Sequence, residues 1–138
     1  MRKHWMAGAL VLALTFVASH VRAAEGEALL KQLEPTVDKM LKAYNDGDHK
    51  TFNGEYAKMM AAVATEQMFT NLFINMYKKE FGNYVSKELI KNETVLTGDM
   101  PLLVFQAKFE KNEKIKVSVN FTKDGDALKV MQMRFDKM

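Results

Sequence analysis

The sequence predicts an α+β domain, with N-terminal helices packed on a curved antiparallel sheet of three to four strands. Three observations carry this reading. Up to Gly82, apolar residues recur at the three- and four-residue spacing of amphipathic helices. From Tyr84 onward the period becomes two, as in half-buried strands. Short turn signals, Thr97-Gly98-Asp99, Lys111 to Lys114 and Asp124-Gly125, separate the alternating segments and favour a meander.

The chain opens with the pattern of a targeting segment. Arg2 and Lys3 form a basic start, Met6 to Ala18 is an apolar run short for a bilayer span, and Val21-Arg22-Ala23 offers a cleavage site. The expected division is a leader over 1–23 and one domain over 24–138, exported to the periplasm or secreted. An uncleaved anchor is the competing reading. The leader removes Arg2, Lys3 and Arg22, which brings the 20 Lys and Arg down to 17 against 17 Asp and Glu. A balanced mature chain supports neither nucleic-acid binding nor membrane attachment after cleavage. With no cysteine, thiol chemistry, disulfides and lipoprotein processing are excluded.

Gly26 to Asp46 reads as the first helix, with Leu29, Leu30, Leu33, Val37, Met40, Leu41 and Tyr44 on its apolar stripe. Pro35 lies inside it and is expected to kink or split it. Asn45 to Asp48 forms a turn, and Asp48 can cap a second helix over His49 to Val63 carrying Phe52, Tyr56, Met59, Met60 and Val63. The third helix, Thr65 to Gly82, has Thr65 as N-cap and Gly82 as C-cap. Met68, Phe69, Leu72, Phe73, Ile74, Met76, Tyr77 and Phe81 cover more than half its circumference, so it is expected to be sandwiched.

Tyr84 to Leu96 reads as a strand with a break near Asn92, and Pro101 precedes the next strand, Leu102 to Glu110. Ile115 to Thr122 alternates cleanly, with Ile115, Val117, Val119 and Phe121 inward. The last strand, Ala127 to Asp136, admits two registers. A two-residue Asp124-Gly125 turn puts Leu128, Val130, Gln132 and Arg134 on the face of Val119 and Phe121. A one-residue shift puts Lys129, Met131, Met133 and Phe135 there instead. A bulge can give each half of the strand its own answer.

Tyr44-Asn45-Asp46-Gly47-Asp48 leading to Phe52, then Met59-Met60, Thr65-Glu66, Phe81-Gly82 and Val119-Asn120-Phe121 before Asp124-Gly125 resemble the nuclear transport factor 2-like superfamily. Within it, the chain is most similar to a small bacterial domain family of unknown function. The resemblance covers about Leu29 to Phe135 and implies a cystatin-like cone, a sheet curled around helices. Enzymes of the superfamily use an acid or an Asp-His pair in the cone. Here no His falls on a strand or core helix, so that chemistry does not carry over.

Glu80 is the one carboxylate the helical wheel places inside the apolar arc, between Phe69 and Phe73. Inward, it could act as the acid or base of a lyase or isomerase; as a last-turn residue, it reaches solvent. His49 is expected to be exposed at a helix start rather than to act as a base. Met131 and Met133 invite a copper(I) reading, against which stands methionine's ordinary role as gap filler. In the first register Gln132 and Arg134 give polar lining to a greasy cavity, with Tyr56 or Tyr77 opposite. These features favour an exported domain that binds a small molecule or a partner protein, a second copy of the chain included. Enzyme and copper-handling readings stand behind it, and no cofactor is implied.

Overall fold

The computed structural model describes the backbone of residues 2–138 and the side chains from Ala23 onward; of the leader expected over 1–23, all but Ala23 lies outside those described side chains. The chain divides into two compact units, Met1–Gln32 and Leu33–Met138, and the sheet, the core and the cleft described below belong to the second. No helix among the described residues is long and apolar enough to cross a membrane. The architecture is α+β: helices packed on a four-stranded antiparallel sheet of order β1-β2-β3-β4, which does not close on itself.

Helix α1 (Arg2–Asp46) runs through Pro35 without the expected break. In the second unit it buries Leu33, Val37, Met40, Leu41 and Tyr44, the stripe read from the spacing. Its end is tied to the start of the sheet by polar side chains. The Tyr44 hydroxyl donates to the Gly82 carbonyl at 2.7 Å, and Asn45 accepts from the Tyr84 N–H at 2.7 Å while donating to its carbonyl at 2.9 Å. Gly82 sits at φ 79°, a conformation open to glycine, and a Cβ there would meet Glu110 at 2.9 Å.

The expected helix His49–Val63 is instead two short ones, α2 (His49–Gly54) and α3 (Lys58–Val63). Asp48 caps α2 as read, accepting from the Thr51 N–H at 3.1 Å. What breaks the helix is competition for its backbone. The Ala57 N–H donates to Val130 at 2.8 Å, the Val130 N–H donates to Glu55 at 2.9 Å, and the Lys58 N–H donates to Asp124 at 3.0 Å. Groups that a continuous helix would bond internally thus go to the last hairpin, and Gly54 lowers the cost of stopping.

Helix α4 (66–81) starts as α-helix at Glu66–Phe69, widens to π-helix over Thr70–Lys78 and closes at Lys79–Phe81. Thr65 caps it, its hydroxyl accepting from the Met68 N–H at 3.3 Å. The π turns explain its aromatic pattern. Phe69, Phe73, Tyr77 and Phe81 are four residues apart, a spacing that drifts around an α-helix but stays near one face where the turns are wider. Their rings form a continuous row, with centroids 5.7, 5.4 and 5.9 Å apart in sequence. The helix is not sandwiched all round: Met68, Leu72 and Met76 stay exposed.

The strands are β1 (Tyr84–Leu89), β2 (Leu102–Phe109), β3 (Asn112–Asp124) and β4 (Ala127–Lys137). The strand read over Tyr84 to Leu96 ends at Leu89, and Val95 makes only an isolated bridge to Leu102. Leu103, Phe105, Ala107 and Phe109 on β2 and Ile115, Val117, Val119 and Phe121 on β3 are fully buried, as their alternation required. The turn before β4 lies one residue later than read, since Asp124 pairs with Ala127. A bulge between Asn120 and Phe121 then splits the register. Val130 pairs with Phe121, but beyond the bulge Met133 pairs with Val119 and Phe135 with Val117. Each half of β4 therefore follows a different one of the two registers, and Met131 is the extra residue between them.

Candidate functional site

The bulge opens a cleft of about 490 Å³ between α2, α3, α4 and β4. This volume falls in the range of small-molecule sites. Three consecutive residues, Met131, Gln132 and Met133, form its floor on β4. Phe52 and Tyr56 from α2 and the following turn, Met60 from α3, and Met68, Leu72, Phe73 and Met76 from α4 supply the apolar walls. Leu72, Phe73 and Met76 belong to the π-helical turns, and such turns are frequent at functional sites. A second hollow of about 330 Å³ adjoins it, sharing Met60, Met131 and Gln132.

Among the described residues no Asp, Glu, Lys or Arg lines the cleft, and its polar groups are His49, Asn53, Tyr56, Asn71 and Gln132. His49 is not the exposed residue expected. Its ring packs 5.5 Å from Phe69 and its Nε2 lies 3.3 Å from the Ala64 carbonyl, so part of the imidazole surface is buried in the wall. Burial pushes the Tyr56 hydroxyl up to about 12, which keeps it neutral over the ordinary pH range. Asn53 donates to Ala61 at 3.5 Å, while its Oδ1 is buried with no partner.

Of the candidate binding residues, the structure brings Tyr56 and Gln132 together and leaves out the other two. Arg134 follows the second register, so it pairs with Ser118 on the face turned from the helices and binds Asp136 at 2.8 Å. Tyr77 stacks between Phe81 and Phe135 in the closed part of the core. Glu80 does not enter the interior: it is exposed and ion-paired with Lys137. The 3.6-residue wheel misplaced it. The π turns lag an α-helix by enough to keep Phe81 in the row of Phe69 and Phe73, and Glu80, one residue before Phe81, then falls beside the apolar row and not within it.

Met131 and Met133 both border the cleft, but the bulge removes the shared strand face the copper reading assumed. Met133 is buried, whereas Met131 is 38% exposed at the rim. Among the described residues no three His, Cys, Asp or Glu side chains cluster as a metal site. Sequence reasoning missed Met60, Met68, Met76 and His49 as neighbours. Nothing in their spacing marks them, because the helix break at Tyr56 and the π turns bring them together. Compared with known proteins, the chain matches no family model, no curated protein and no solved structure.

Proposed function

We propose that the chain is an exported binding domain of the nuclear transport factor 2-like kind, periplasmic or secreted, which takes a neutral, largely apolar small molecule into the cleft floored by Met131 to Met133. The basic start and apolar run support export, and the order of helices before a four-stranded sheet supports the fold likeness. The carrying observation is the cleft itself. It has small-molecule volume, walls of methionine and aromatic side chains, and no charged residue among the described ones. Methionine suits such a wall, since its unbranched side chain adapts to differently shaped apolar ligands. Among the described lining residues there is no carboxylate for a lyase or isomerase to use.

Titration with the apolar fluorophore N-phenyl-1-naphthylamine tests the reading. Saturable fluorescence enhancement with one equivalent bound is expected. Leu72→Lys with Met76→Lys places two cations at the rim on exposed positions, so it should abolish the signal while leaving the melting temperature nearly unchanged. No enhancement with wild type, or an undiminished one with the double variant, contradicts the proposal.

A further inference from the structure

The floor of the cleft offers main-chain groups as well as side chains. In β4 the Met138 N–H donates to Lys114 at 3.2 Å, and Asp136 and Arg134 stand opposite Lys116 and Ser118. Alternation along an antiparallel pair then turns the N–H and C=O of Met138, Asp136 and Arg134 to β3. Those of Phe135 and Met133 turn to the open edge. Two attachments already cover parts of this edge. Val130 is bonded through both its groups to Glu55 and Ala57, and the Tyr77 ring packs on Phe135 with centroids 4.9 Å apart. Between them lies Met133, and among the described residues no backbone group reaches its N–H or C=O. A donor and an acceptor separated by the span of one residue thus face an apolar cleft.

In antiparallel pairing a strand edge of this kind is satisfied by one residue's own N–H and C=O, whereas Val130 is satisfied in the parallel manner, by the Glu55 C=O and the Ala57 N–H. We infer that the ligand class is an apolar amino-acid residue blocked on both sides: an N-acylated residue amide or short apolar peptide segment that extends the sheet at Met133. Its C=O accepts from the Met133 N–H, and its N–H donates to the Met133 C=O. Its acyl chain and side chain lie among Met60, Met68, Leu72 and Met76. A simple alcohol or hydrocarbon leaves one or both main-chain groups unpaired inside an apolar wall, which is costly. With no charged side chain among the described lining residues, a free carboxylate or amine would go unpaired at this point. This inference rests on the cleft being a ligand site.

N-octanoyl-leucine methylamide and its ester analogue, with oxygen in place of the leucine N–H, test it by calorimetric titration, alongside N-phenyl-1-naphthylamine. The amide should bind about tenfold more tightly than the ester, since the ester loses a donor and sets two acceptors against each other. On adding the amide, hydrogen exchange of the Met133 N–H should slow by at least about tenfold, while that of Arg134, already bonded to β3, should not change. Equal affinities with unchanged Met133 exchange overturn the inference and leave the cleft reading standing. Binding of the naphthylamine alone overturns it in the same way. Failure of all three probes overturns both.

Discussion

Phe73 stands between two regions built from different side chains. On one side its ring meets Phe135 and Tyr44 edge to face, at 5.5 and 6.4 Å, and Tyr44 in turn meets Phe109 at 5.9 Å. Rings interlocked at steep angles fill space completely, and Tyr44, Phe109 and Phe135 are buried. On the other side Phe73 meets Phe52 at 4.7 Å, and beyond them the boundary passes to methionine and the space opens. The same helix borders both regions. The difference lies in stiffness and in strand register: aromatic rings close the core where β4 pairs regularly, and flexible thioethers line the gap where its bulge breaks the pairing.

The opposite edge of the sheet is closed in a third way. Lys87 on β1 reaches Asp38 at 2.6 Å and Glu34 at 3.2 Å on α1, and its ammonium sits 4.9 Å over the Phe105 ring. Burial works against its charge, but the two carboxylates outweigh burial and leave its pKa raised. A half-buried lysine held by two carboxylates thus fastens the β1 edge to α1, while at the β4 edge the Glu55 to Ala57 segment, Tyr77 and the exposed Lys137–Glu80 pair reach the helices.

The largest expected effect separates core from cleft. Phe73→Ala should cost about 3–5 kcal/mol, as truncation of a buried aromatic does, whereas Met68→Ala at the exposed rim should cost under about 1 kcal/mol. Urea melts of the two variants measure it. Similar losses for both would mean that the cleft wall is packed as tightly as the core.

A smaller effect comes from Tyr56. Because burial raises its pKa from 10.0 to about 12, the folded state holds this proton longer than the unfolded chain. The contribution is fully present below about pH 10 and is lost as pH rises toward 12. Between pH 9 and pH 12, Tyr56→Phe should lose about 2 kcal/mol less stability than wild type. Melts at the two pH values decide it; parallel losses would place the hydroxyl in water rather than in the wall.

The smallest concerns Glu80. Exposed and paired only with Lys137, it should tolerate Glu80→Gln within about 0.5 kcal/mol at pH 4.5 and pH 7.5 alike. A clear gain confined to pH 7.5 would instead show a carboxylate held in an apolar place.

What the sequence made legible and what it hid divide along the same boundary. Ile115 to Phe121 and Leu103 to Phe109 alternate, and alternation needs only one buried face, so these strands and the α+β class were readable. The caps Asp48 and Thr65 act within three residues of their targets and were equally plain. The cleft depends on long-range events. Tyr56 and Ala57 leave the helix because Val130 and Asp124 compete for its backbone, and no local spacing announces that. The π turns of α4 rotate Glu80 away and line up the four aromatic rings, but a wheel drawn at 3.6 residues assumes them absent. The bulge in β4 was visible only as a conflict between two registers, and that conflict marks the floor of the cleft.

Methionine methyl resonances give the most direct test that the cleft, and not the core or the general surface, is where an apolar ligand goes. Met40 is buried against α1's partners, Met59 is 84% exposed, and Met60, Met68, Met76, Met131 and Met133 border the cleft. With carbon-13 methyl-labelled protein titrated with N-phenyl-1-naphthylamine, the five cleft methyls should shift together and saturate at one equivalent. Met40 and Met59 should stay in place. Shifts of Met59 without those of Met60 and Met133, or a drift of all methyls that never saturates, would contradict a ligand site between α4 and the bulge of β4.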